Sequence, residues 1–179
     1  MQTVEYRCRD ERTLAAPIDR CFEALIDLST YSRWWTLVEV TPESGTRLDA
    51  GVRFWFAGAR PGGERFEWSA EVREVHAPTR IELAYTGGEY QGSTAWELAA
   101  IGNATSVAYV YRGVRPLTAR AREHFTRWGT RLHSAAMTED ALAGLGRFLG
   151  GAGAEMDDAA WRTDVRRRVA ERIRALDVR

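Results

Sequence analysis

Between Leu117 and Gly150 apolar residues recur in steps of three and four: Ala121, Phe125, Trp128, Leu132 and Ala136, then Leu142, Leu145 and Phe148–Leu149. That spacing predicts a helix buried along one stripe, with Arg120, Arg122, Glu123, Arg127 and Arg131 on the other side. Pro116 and Thr118, a capping residue, mark its start; Gly144, Gly146 and the glycines at 150–153 mark its end. Thr138-Glu139-Asp140 suits a helix start, which predicts a kink there or a second helix from Glu139. Gly129 lies on the inner stripe, where glycine costs about 1 kcal/mol relative to alanine. Two readings account for it: room for a ligand, or close packing of helix on sheet.

The segment before this helix alternates. Val4, Tyr6 and Cys8 share one face of a first strand over Thr3–Leu14, a register that Asp10 and Arg12 continue as a polar pair at a cavity mouth or as a fraying strand end. Ala16-Pro17 opens a helix with Ile18, Cys21, Phe22, Leu25 and Ile26 buried. Thr30–Trp35 adds a short second turn, and Trp34-Trp35 reads as a corner of the core or a ligand contact. Short strands follow: Leu37–Thr41; Val52–Ala57 with Phe54 and Phe56 inward; Glu64–Val75 with Phe66, Trp68, Ala70 and Val72 inward. Arg80–Thr86 has Ile81, Leu83 and Tyr85 inward, Tyr90–Ala99 has Thr94, Trp96 and Leu98, and Thr105–Arg112 has Val107, Tyr109 and Tyr111. Turns are expected at Gly58–Gly63, His76–Pro78, Gly87-Gly88 and Gly102-Asn103.

Connections this short exclude parallel crossovers and predict an antiparallel meander with one dry face. Such a sheet needs a partner, and the helix after Leu117 is the element long and apolar enough to serve. The expected fold is therefore α+β: a curved antiparallel sheet of about seven strands wrapped around a long helix, with a two-helix hairpin after the first strand. This domain spans 1–153. Residues 154–179 form an amphipathic helical extension, acidic at Asp157-Asp158 and Arg-rich later, with Trp161, Val165, Val169, Ile173 and Leu176 on a narrow stripe. It is read as packing on its own domain or on a second copy, which would make a homodimer.

Composition sharpens this picture in few places. Lys and Arg together balance Asp and Glu at 25 each, which argues against nucleic-acid binding. The two cysteines, Cys8 and Cys21, read as buried free thiols. Met1–Asp10 is polar, unlike a signal peptide, and no apolar run is long enough to span a membrane, so a cytoplasmic protein is expected. Seven Trp, many in inward strand positions, fit a walled pocket.

The segments Ala16–Phe22, Tyr31-Ser32-Arg33-Trp34-Trp35, and Trp96-Glu97-Leu98 before the Gly-Asn turn and Thr105–Tyr109 resemble the START-like (SRPBCC, Bet v 1-like) superfamily, in its polyketide cyclase/dehydrase branch. The resemblance covers about Thr3–Gly150. It implies a helix-grip fold around an apolar cavity, and members that bind lipids, steroids or polyketides, act as cyclases, or serve as co-chaperones or assembly factors.

Candidate chemistry is sparse. His124 and His133 are nine residues apart, about 900° of rotation, and leave opposite sides of a straight helix. No zinc spacing, phosphate-binding glycine loop or nucleophile motif is present. No cofactor, metal or catalytic residue is assigned. The expected lining of a ligand cavity is Trp35, Phe54, Phe66, Trp68, Tyr85, Trp96, Tyr109, Tyr111, Phe125, Trp128 and Gly129. Three functions are open: binding of a hydrophobic or aromatic small molecule, lipid- or polyketide-like; polyketide cyclase or dehydratase chemistry on tyrosine hydroxyls; and partner binding or assembly through the C-terminal helix.

Overall fold

The computed structural model describes residues 5–59 and 65–177, except for the side chains of Tyr6, Ala59, Arg127, Trp128, Thr130, Arg131, Leu176 and Asp177. Val4 and most of the expected 58–63 turn lie outside the described residues. The strands are β1 (Tyr6–Leu14), β2 (Val38–Pro42), β3 (Arg53–Ala59), β4 (Arg65–His76), β5 (Arg80–Gly88), β6 (Tyr90–Ile101) and β7 (Ala104–Pro116). They form a seven-stranded antiparallel sheet in the order β1-β7-β6-β5-β4-β3-β2. The chain meanders from β2 to β7, and β1 closes the far edge by pairing with β7. The two-residue Gly102-Asn103 connection sets the register in which Trp96 lies opposite Tyr109. Alternation then buries the expected faces: Phe54 and Phe56, Trp68 and Val72, Ile81 and Leu83, Thr94 and Trp96, Val107 and Tyr109.

Helices α1 (Ile18–Ile26) and α2 (Tyr31–Trp34) form the hairpin after β1. α2 ends in the core: Trp34 is fully buried and its indole donates to Thr30 Oγ1 (3.1 Å). Helix α3 (Ala119–Ala136) starts as expected, Thr118 accepting from the Ala121 amide (3.0 Å). It does not run straight. Gly129 has φ 46° and ψ −147°, and the helix kinks there. A Cβ at this residue would meet nothing within 4 Å, so close packing does not explain the glycine; its backbone conformation does.

The second expected interruption takes the form of a π-helical segment, Met137–Leu142, leading into α4 (Ala143–Phe148). Gly144 does not end the helix as expected. It sits inside α4, where an added Cβ would lie 1.9 Å from the Trp34 carbonyl oxygen, so two backbones touch across this position. The π segment also carries Asp140, fully buried, which accepts from the Thr36 amide (2.9 Å), the Thr36 hydroxyl (2.7 Å) and the Leu37 amide (2.7 Å). This carboxylate fastens the start of β2 to the helical arm. Burial raises its pKa to about 6, against the opposing pull of those three donors and of Arg168.

Helix α5 (Asp158–Asp177) begins where Asp157 accepts from the Ala160 amide (2.8 Å). Its stripe is covered within the chain: Trp161, Val165 and Val169 are buried against Ala143, Leu37 and Leu132. Of the two expected covers for this stripe, its own domain or a second copy, the chain's own domain covers these three residues. Arg168 and Arg172 reach Glu139 of the π segment (3.1 and 3.2 Å), and Arg168 also stacks over the Trp161 ring (4.7 Å).

Candidate functional site

The sheet does not close completely on α3. Between β2–β5, β7, the kinked helix and α5 lies a cavity of about 770 Å³, within the roughly 300–1,000 Å³ range of small-molecule sites. Its walls are mostly apolar. Five expected residues line it: Trp35, Phe66, Trp68, Tyr85 and Tyr111. Trp68 sits between stacked partners, Phe56 (4.9 Å) and Phe66 (5.2 Å), which fixes its ring plane. Trp35 leans edge-on against Trp96 (6.0 Å) and Tyr109 (6.1 Å).

The other expected lining residues stand elsewhere. Phe54, Trp96 and Tyr109 are fully buried behind that wall, and Phe125 is buried in the core. Alternation had put the three strand residues, Phe54, Trp96 and Tyr109, on the right face of the sheet; distance along each strand separates core from cavity. Gly129 shapes the helix that borders the cavity, and the Trp128 side chain is outside the described residues. Asp10 and Arg12 do not reach the mouth. Asp10 is buried under α3, where it accepts a hydrogen bond from Ser134 and burial raises its pKa; Arg12 donates to the Thr138 carbonyl (3.3 Å).

The histidines correct the sequence reading. Both His124 and His133 line the cavity. The half-turn between them holds only for an unbroken helix, and the Gly129 kink resets the rotation of everything after it. His124 lies over the Phe66 ring (6.2 Å) and His133 near Tyr111 (6.1 Å). Gly129, already singled out as anomalous, was the available signal.

The tyrosines are arranged to hold protons. Tyr109 and Tyr85 share a hydrogen bond (2.7 Å), and Thr94 Oγ1 is 2.9 Å from the Tyr109 hydroxyl. Burial pushes Tyr85 up to about 12 and holds Tyr109 and Tyr111 well above the ordinary phenol value. The Tyr109 hydroxyl is thus engaged and sealed away. The buried indole N–H of Trp68 interacts with the Tyr85 hydroxyl, which eases the Tyr85 pKa down against the burial that raises it. Beside it a void of about 20 Å³, lined also by Tyr85, Tyr90, Tyr111 and His133, has room for about one water-sized group.

Sequence reasoning missed the rim. Exposed Glu39 and Arg65 form one side, and the face of α5 carrying Arg166, Val169, Ala170, Ile173 and Arg174 forms the other. The π segment contributes Met137 to the lining, as irregular helix turns often do at sites. No helix among the described residues is long and apolar enough to cross a membrane, and no group of three or more metal-ligating side chains occurs among them.

The sequence model of the family described as Activator of Hsp90 ATPase homolog 1-like protein matches residues 15–136. No curated protein matches the chain. Among solved structures, TTHA0849 from Thermus thermophilus is 19% identical with a TM-score of 0.69, over 83% of this chain and 99% of that one. A protein from Rhizobium leguminosarum is 19% identical with a TM-score of 0.62, over 83% and 97%. CV1439 from Chromobacterium violaceum is 15% identical with a TM-score of 0.57, over 80% and 96%. At such identities the likeness concerns the fold.

Proposed function

The chain belongs to the activator of Hsp90 ATPase homolog 1-like family, within the START-like (SRPBCC, Bet v 1-like) superfamily, and from that premise we propose that it binds a hydrophobic or aromatic small molecule, lipid- or polyketide-like, between sheet and kinked helix. The observation that carries this reading is the cavity of about 770 Å³ with its aromatic wall of Trp35, Phe66 and Trp68. A cleft of that size, open on one side and walled by apolar side chains, holds water against them, and an apolar body that displaces it removes their surface from water.

The tyrosine acid–base alternative is the weaker reading, because Tyr109 is engaged by Tyr85 and Thr94 away from the cavity and burial disfavours proton loss from Tyr85 and Tyr111. Assembly through the stripe of α5 is disfavoured by its burial against the chain's own domain.

Native mass spectrometry of the purified protein, with extraction of any bound species, tests the proposal. The expected result is a discrete added mass that is lost on denaturation. The reading fails if the mass is that of the bare chain and apolar probes such as dodecanol also leave the tryptophan fluorescence unchanged.

A further inference from the structure

The polar end of the ligand can be read from α5. Arg166, Val169, Ala170, Ile173 and Arg174 line the cavity from one face of this helix. α5 lies beyond residues 15–136, the part shared with the family, so this wall is an addition to the common core. Three of the other four arginines of this helix are answered by carboxylates, and the fourth, Arg162, does not line the cavity. Arg167 pairs with Glu171 (3.0 Å), Arg168 with Asp164 (2.9 Å) and Glu139, and Arg172 with Glu139 (3.2 Å). Arg166 has no hydrogen-bond or ion-pair partner among the described residues, and Arg174 donates only to the Ala170 carbonyl of its own helix (3.3 Å). Across the mouth, Glu39 is the one carboxylate among the described lining residues, and it is paired with Arg65 (2.8 Å). In a chain whose formal charges cancel, two cations without counter-ions stand over an apolar chamber.

We infer that the ligand is an amphipathic anion, its apolar body enclosed by the aromatic wall and its carboxylate or sulfate head held at the rim by Arg166 and Arg174. The inference rests on the cavity reading above. Guanidinium groups suit this task because their planar fork meets an oxyanion with two parallel N–H donors. Two partly exposed contacts of this kind give about tenfold in affinity together.

Titration of the full chain with dodecanoate, dodecanol and dodecyltrimethylammonium, which share one tail and differ in the head, tests it by tryptophan fluorescence and calorimetry. Dodecanoate is expected to bind about tenfold more tightly than dodecanol, with an affinity that falls as salt is added, and the ammonium to bind most weakly. The double variant Arg166→Gln, Arg174→Gln is expected to lose that tenfold advantage while its dodecanol affinity stays unchanged. Equal affinity of the wild-type protein for dodecanoate and dodecanol overturns the anionic head and leaves the cavity reading standing. Loss of dodecanol and dodecanoate binding alike in the double variant assigns the arginines a structural role and also overturns it. Absence of binding by all three probes removes the cavity reading and this inference with it.

Discussion

Gly129→Ala adds one carbon at a point where nothing lies within 4 Å of it. Neighbouring atoms therefore contribute no clash, and the backbone alone decides the outcome. At φ 46° and ψ −147° an L side chain sits in a region that is essentially glycine's, at a cost of about 1–3 kcal/mol. A straight helix through the same residue gives the opposite sign, since alanine is favoured over glycine there by about 1 kcal/mol. For a chain of this length each 1 kcal/mol moves Tm by about 2–4 °C. The expected result is a fall in Tm of several degrees in calorimetry, with a matching fall in the urea midpoint at an unchanged m-value. A second effect follows from the helix geometry. If the variant relieves its strain by straightening, His124 and His133 separate by about half a turn, the wall after residue 129 rotates, and dodecanol affinity falls under conditions where the protein is folded. A Tm at or above that of the wild type would refute the kink and the shared placement of the histidines.

Gly144→Ala must separate α4 from the Trp34 carbonyl, which lies 1.9 Å from the added carbon; a loss on the order of 3 kcal/mol or more is expected in urea unfolding, and a loss under 1 kcal/mol would contradict that backbone contact. Tyr109→Phe leaves Thr94 and the Tyr85 hydroxyl with one partner fewer, so stability should fall by about 1–2 kcal/mol while the dodecanol affinity holds; a lost affinity would place Tyr109 in contact with ligand. Asp140→Asn turns one acceptor toward the Leu37 amide into a donor, for about 1–3 kcal/mol at neutral pH. Because the Asp140 pKa is raised from 3.8 to about 6, the folded state binds the extra proton between those values. The group's contribution to stability is therefore fully present below about 4 and is lost as pH rises through about 6. Asn does not titrate, so the gap in stability between wild type and Asp140→Asn should widen on acidification from pH 7 to 4, and a constant gap would show that Asp140 does not titrate there.

Much of the fold was legible because its determinants are local. Period-two alternation assigns the inward faces of β3 to β7, and Gly102-Asn103 sets the β6–β7 hairpin by turn chemistry. Thr118 starts α3 through a bond to its own first turn. The antiparallel order followed from the shortness of the connections, and the stripe of the long helix identified what the sheet wraps. The aromatic character of the cavity wall was visible in the same pattern, since Phe66, Trp68, Tyr85 and Tyr111 all stand on inward strand positions.

Alternation names a face, and a face is not yet a place on it. Whether an inward ring such as Trp96 is sealed in the core or, like Trp68, borders open space depends on how far α3 and the hairpin extend over each strand, which is settled by packing among segments distant in sequence. The helix was read with an unbroken period, and one positive φ at Gly129 resets the rotation of every residue after it, so the histidines meet only in three dimensions. The rim depends on where α5 docks. Its burial of Trp161, Val165 and Val169 against Ala143, Leu37 and Leu132 turns Arg166 and Arg174 toward the cavity. That choice between its own domain and another surface is written in no local signal of the helix, because an apolar stripe specifies that something must cover it and not what.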